Sequence, residues 1–390
     1  MRRFSLCLAL AVFPLPGSAP RPLIAQWQAQ VAVESRLFAG GGLQPEESKA
    51  ELGLVLWSRA QIEWDERAQR LVVEPFLRVG LLTGERVRFD LRELSWIGRW
   101  KSWELRVGMA ELFWGVAESR PVIDVINQRY AVGSVRGYEK LGQPLLRLVM
   151  IRNWGTLQAI LLPRFRERPF EGGAGRLWSP LPVVDDEPVY ESPAEADHVD
   201  WAVRWSHTLG SVDVGVAHFA GTTRDPRFEL DVDRTEAMIL VPHYDLMAQT
   251  SLDVQWTSGS WLWKLEALTR SSVGERQWEA AGGLEYAPAE YLSVFLEYLF
   301  DTRGERSTTS YEHDLFLGGQ LLLPEGRVQA GVYLDTDSGN TILKAGAARR
   351  LNDFLTLDLQ GRMFLGAASR EPAHATRQDS FLALVLTFRY

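Results

Sequence analysis

Polar side chains of both charges crowd the stretch ESRPVIDVINQR, where Glu118, Arg120, Asp124, Asn127 and Arg129 interleave with Val122, Ile123, Val125 and Ile126. Such a stretch is too polar to face lipid and too apolar to lie in open water. It fits a loop or short helix folded into the interior of a pore, spanning about residues 113–143, where fixed charges of both signs sort solutes. The same residues also fit a structural loop whose charges pair with one another.

Chemistry of the bond-breaking kind finds few residues to work with. The six histidines, His198, His207, His218, His243, His313 and His374, form no HExxH motif and no close ligand pair. Ser206 and His207 suggest a nucleophile and base, but neighbours on a strand point to opposite faces. The DTDSGN stretch, Asp335 to Asn340, opens like a calcium loop, yet Gly346 stands where the bidentate Glu belongs. It reads as a hairpin turn. The glycines of Gly172-Gly173-Ala174-Gly175 do not follow a strand and open a helix, so they form no phosphate loop. No cofactor or metal is implied.

The elements that must position the 113–143 stretch read as strands. Leu52, Leu54, Leu56, Ile62 and Trp64 alternate with Glu51, Arg59, Gln61 and Glu63, and Trp103, Leu105, Val107 and Met109 alternate with Glu104 and Arg106. Val87, Phe89 and Leu91 oppose Arg86, Arg88, Asp90 and Arg92, and Trp261, Trp263 and Leu265 oppose Lys264, Glu266 and Arg270. Short turn sequences such as TSGS, APAE and PEG separate these runs, as hairpins require. A soluble sandwich would also alternate. Against it stand full charges on face after face and aromatic residues near strand ends: Trp57, Trp64, Trp103, Trp256, Trp261, Tyr286 and Tyr298. Charges such as Arg86, Arg88, Arg92, Glu104 and Arg106 are expected to face a lumen, either favouring anions or forming a solvated ladder of mixed sign.

The flanks agree. Met1-Arg2-Arg3 followed by FSLCLALAVFPL reads as a secretory signal, with cleavage expected after Ala25 or, against Pro20, after Ala19. The single cysteine, Cys7, lies in that leader, so no disulfide framework supports the rest. A net charge of −8 with no basic stripe argues against nucleic acid. Residues 168–200, rich in Gly, Pro and acids, read as one long outward loop. There Asp185, Asp186, Glu187, Glu191, Glu195 and Asp197 either share divalent cations with lipopolysaccharide or are simply solvated.

The terminal SFLALVLTFRY sets Leu382, Leu384, Leu386, Phe388 and Tyr390 on one face. It resembles the C-terminal strand signal of Gram-negative outer-membrane barrels, which implies recognition by the barrel assembly machinery and closure against the first strand. FWGVAESRPVIDVINQ in turn resembles a motif of a porin-like family of proteobacterial outer-membrane proteins, at Trp114, Gly115, Glu118, Asp124 and Asn127. That resemblance carries no substrate.

The expectation is therefore an all-β protein: a signal peptide over 1–25, then a transmembrane, antiparallel, up-and-down β-barrel over 26–390. Dividing its length by roughly 22 residues per strand and connection gives about 16 strands, within a range of about 14–18. Such a barrel would sit in the outer membrane of a Gram-negative bacterium, among its lipid and lipopolysaccharide, and pass small solutes by diffusion, without being an enzyme. The alternatives are a barrel serving an envelope exporter of lipid or hydrophobic compounds, an outer-membrane lipid hydrolase, and a barrel that binds or scaffolds. Oligomeric state is not legible.

Overall fold

The computed structural model describes residues 23–40, 48–82, 87–130, 139–170, 181–184, 186–232, 238–303, 311–366 and 379–390. Its strands, numbered in chain order, begin with β1 (Ile24–Phe38), β2 (Ala50–Trp64), β3 (Gln69–Gly80), β4 (Arg88–Trp100) and β5 (Trp103–Ala110). Next come β6 (Arg129–Tyr130), β7 (Glu139–Lys140), β8 (Gln143–Arg152), β9 (Gly155–Leu162), β10 (Val189–Tyr190), β11 (Asp200–Leu209) and β12 (Val212–Thr222). β13 (Arg227–Val232) and β14 (Met238–Tyr244) precede β15 (Leu246–Ser258), β16 (Trp261–Ser272), β17 (Glu275–Ala289) and β18 (Leu292–Asp301). The last are β19 (His313–Leu323), β20 (Gly326–Asp335), β21 (Thr341–Arg350), β22 (Leu355–Leu365) and β23 (Phe381–Arg389).

Among the described residues, eighteen of these strands form one antiparallel sheet, and β1 pairs with both β2 and β23. The sheet is thus a closed ring with no free edge, the arrangement that pairs every strand within the protein. The wall has two strands more than the expected 16, because most turns at one end need only two residues, as between β4 and β5 or β15 and β16. Ile24 and Ala25, expected at the end of the signal, pair with Glu63 and Ile62 at the start of the wall.

Period-2 alternation assigns the faces. On β23 and the residue after it, Leu382, Leu384, Leu386, Phe388 and Tyr390 are exposed outward, whereas Ala383, Val385 and Thr387 are buried inside. Trp103, Trp256, Trp261, Trp263 and Tyr286 form an outward aromatic belt at the short-turn end, with Trp201, Trp278, Tyr298 and Phe300 nearer the other end. These are the two levels at which a spanning barrel places interfacial rings. Trp57 is an exception to the expected belt. Its indole points inward and donates to the Glu74 carboxylate at 2.7 Å. On β3 and β4 the register shifts at Glu74/Pro75, so Arg92 is an extra residue and both Arg92 and Glu93 turn inside. Pro75, with no N–H to give, sits at this bulge, where a missing donor is tolerated.

The interior is not uniformly polar, as a simple water-filled lumen would be. Trp114, Val122, Ile123, Val125 and Ile126 pack against wall residues such as Ile160, Phe219, Leu268, Leu299 and Phe316 in one apolar cluster. A second cluster joins Tyr130 and Leu141 to Phe38, Phe76 and Phe381.

Candidate functional site

Both apolar clusters exist because the segment of residues 111–130 and 139–142, between β5 and β8, folds inward. Asn127 fixes its base. The amide donates to the carbonyls of Ala110 and Leu141, each at 2.9 Å, and accepts from Leu112 N–H at 2.8 Å. From there the segment crosses the ring to β16, β18 and β20, which lie six, eight and eight positions from β5 around the eighteen-stranded wall.

Two wall carboxylates catch it on the far side. Glu266 on β16 accepts from the N–H groups of Val116 at 2.5 Å, Ala117 at 2.8 Å and Ile123 at 3.2 Å. Glu297 on β18 accepts from Glu118 N–H at 2.9 Å, from Ser119 N–H at 2.8 Å and from the Ser119 hydroxyl. Tyr333 on β20 donates its hydroxyl to Ser119 O at 2.9 Å. Gly115 permits the close approach: a Cβ there would lie 2.8 Å from Glu266 Oε1 and 2.8 Å from Pro121 Cβ, at a φ of +146°.

The expected constriction residues divide sharply. Glu118 alone presents an exposed carboxylate, 47% accessible, while it pairs with the buried Lys264 at 2.8 Å. Asp124 is buried and pairs with Lys140 at 2.5 Å. Burial pushes its carboxyl up, against the pull of that ammonium. Asn127 is the staple just described. Arg120 is buried 3.9 Å from Glu279. Arg129 starts the short β6–β7 pair. Three of the five therefore hold the segment in place more than they face a passage.

Arg120 and Arg129 belong to a cluster that the sequence did not announce. Asp225, on the connection after β12, lies 3.6 Å from Arg168 and 3.7 Å from Arg303. Burial would raise its carboxyl, but Arg129, Arg303, Arg168 and Arg120 together hold it far below the usual carboxylate range. Burial in turn lowers Arg168 to about 10. The cluster ties the inward segment to the connections above it, since Arg224 also donates to Ile126 O at 3.0 Å.

The charges inside the barrel form pairs of unequal exposure in both senses: Arg36 lies under Glu51, Arg78 under Glu34 and Lys264 under Glu285, and other pairs have the cation outermost. Arg59 is 39% exposed, while its partner Glu74, 2.8 Å away, is 12% exposed. Arg70 over Glu63 and Arg166 over Asp90 repeat this, each cation at 26% and each carboxylate at 7%. Arg106 on Glu93, and Arg147 on Glu104, are balanced. Arg92 lies 3.7 Å above the Phe76 ring and pairs with Glu139 at 2.5 Å, and Arg88 donates to Phe170 O at 2.9 Å. Glu104 also pairs with Arg99 at 2.8 Å. Arg86 lies outside the described residues, as does Asp185 of the acidic loop. In that loop Glu191 accepts from Leu246 N–H and Asp197 pairs with Arg164. Among the described residues no group of acidic and His side chains is gathered to hold a metal.

In the sequence Glu266 falls on the polar face of its strand with no evident role, and Glu297 has none either. The available signal was the isolation of Glu297 within the apolar run YLSVFLEYLF. A lone carboxylate there needs donors, and backbone N–H groups supply them. Ser206 and His207 do face opposite sides, Ser206 beside inward Thr156 and His207 with its ring by outward Trp205.

No family model matches this chain, and no curated protein does. Among solved structures it is similar to Pseudomonas aeruginosa OccK2 (OpdF) in complex with glucuronate, at 13% identity and a TM-score of 0.56, over 94% of this chain and 97% of that one. It is also similar to a mutant of Rh. blastica porin, at 10% identity and a TM-score of 0.47, over 94% of this chain and 100% of that one. At such identities the likeness is one of fold: a closed antiparallel barrel of the porin type.

Proposed function

We propose that this protein is an outer-membrane porin-type channel that passes small anionic solutes by diffusion, without a chemical step. The observation that carries the reading is the greater exposure of the cation in three ion pairs inside the barrel. Glu74, Glu63 and Asp90 lie back against the barrel while Arg59, Arg70 and Arg166 stand toward its interior. Fixed charge near a passage acts through the groups that water and solute can reach, because a low-dielectric wall focuses their field. Around Arg59, Arg70 and Arg166 the accessible charge is positive although the pairs are formally neutral, while Arg36 under Glu51 and Arg78 under Glu34 reverse the order farther along the same strands. The inward segment supplies the narrowing, with Glu118 as its exposed edge and the other polar residues as its fastenings.

The complex of OccK2 with glucuronate supports small carboxylate-bearing solutes as the class to try first, since the folds are alike. Proteoliposome swelling tests the reading. Glucuronate is expected to enter faster than an uncharged sugar of its size. Absence of swelling with any small solute would overturn the channel itself, and equal rates would overturn the anion preference.

A further inference from the structure

The far end of the inward segment is held by groups that can lose their charge. Glu266 and Glu297 are almost fully buried, and among the described residues neither has a cationic partner within ion-pair distance. Their ligands are five backbone N–H groups and one hydroxyl of residues 116–123. Bonds from N–H donors to an ionised carboxylate are roughly twice as strong as neutral ones. Adding a proton removes that charge and occupies one acceptor position.

We propose that Glu266 and Glu297 form an acid-sensitive latch: ionised, they hold the segment against β16 and β18, and protonated, they let its tip move. The charges around them are already committed to other partners. Lys264, two residues from Glu266 on the same face, is held by Glu118 and Glu285. Asp253, opposite Glu266 on β15, is bound by Arg204 at 2.6 and 2.8 Å. Asp314 on β19 neighbours Phe316, the residue opposite Glu297, and accepts from Glu312 N–H at 2.9 Å. Arg120, next to Ser119, is drawn toward Glu279. None of these replaces the acceptors that protonation removes. Of the other fastenings, Asn127 uses an uncharged amide and Asp225 is held ionised by arginines, whereas the Asp124–Lys140 pair can also respond to acid. The double variant described below, read at neutral pH, isolates the release of the tip from that pair.

The consequence for current rests on the channel reading, but the latch itself can be tested without it. The only cysteine in the sequence is Cys7, so a single introduced thiol reports cleanly. Val122 is buried at 6% exposure against the wall. The full chain with Val122→Cys, in lipid vesicles, is reacted with a membrane-impermeant thiol reagent. Rates are normalised to Asp353→Cys on an exposed turn, which corrects for thiol ionisation. Between about pH 7.5 and about pH 4, across the carboxylate range, the normalised rate is expected to rise at least about tenfold, the scale of losing charge-assisted bonds. Adding Glu266→Gln and Glu297→Gln should give the acid rate already at neutral pH. A normalised rate that does not change with pH overturns the latch, whether or not the double variant folds and whether or not the barrel conducts.

Discussion

Arg59 covers Glu74: the guanidinium and carboxylate lie 2.8 Å apart, yet the cation is three times as exposed, at 39% against 12%. Trp57 donates to the same carboxylate and holds it from the side. Replacing Arg59 and Arg70 with Gln is therefore expected to slow glucuronate entry about twofold or more relative to an uncharged sugar, through loss of the local field. Lys at both positions should retain the preference. Swelling rates for the two solutes in each variant check this.

Asn127 closes three buried backbone valences at once, on Ala110, Leu141 and Leu112. Asn127→Ala leaves all three without their partner, at about 1–3 kcal/mol for each unsatisfied group. A clear fall in the urea midpoint of the folded barrel is expected. Asn127→Asp keeps the acceptor for Leu112 but sets a carboxylate oxygen against both carbonyls, and should lower the midpoint at least as far as Asn127→Ala.

Asp225 gives a pH signature. Its folded carboxyl titrates below the usual range because four guanidiniums surround it. The stabilisation it contributes is present above the unfolded value of about 3.9, and is lost as pH falls through the lower folded value. Asp225→Asn should thus lower stability fully at neutral pH, by leaving Arg168 and Arg303 facing each other without their anion. The difference from the unaltered protein should shrink only in strong acid. Denaturation midpoints of both proteins across acid pH give the comparison.

At the seam, Tyr390 N–H donates to Ala29 O at 2.9 Å, Ala29 N–H returns a bond to Tyr390 O at 3.3 Å, and the Tyr390 ring lies 5.5 Å from that of Trp27. Removing Tyr390, or changing Leu386 and Phe388 to Ser, is expected to slow assembly in the membrane. Heat-modifiable migration in gels measures the assembled fraction, and an unchanged fraction would assign these residues to lipid contact alone.

Much of this architecture is written in period-2 alternation. The pattern puts Leu382 to Tyr390 outside and Glu51 to Glu63 inside, because a strand offers each side chain only two directions. It does not say what the inward face meets. Arg59 and Arg120 look alike in sequence, yet one stands into the lumen and the other is buried near a carboxylate. Trp57 shows the same limit, since an inward Trp at a strand midpoint and an outward girdle Trp differ only in register. The inward segment was legible from its mixture of Val and Ile with charges. Its fastenings on Glu266 and Glu297 were not, because backbone N–H donors leave no trace in residue type.

The central claim is a channel whose accessible charge favours anions. Its most direct test is the zero-current potential of the purified protein in a planar bilayer, under a tenfold potassium chloride gradient at neutral pH. The sign expected is that of chloride moving more readily than potassium, with the potential shifting toward zero in Arg59→Gln, Arg70→Gln. A potential of the opposite sign, with potassium favoured, would contradict it.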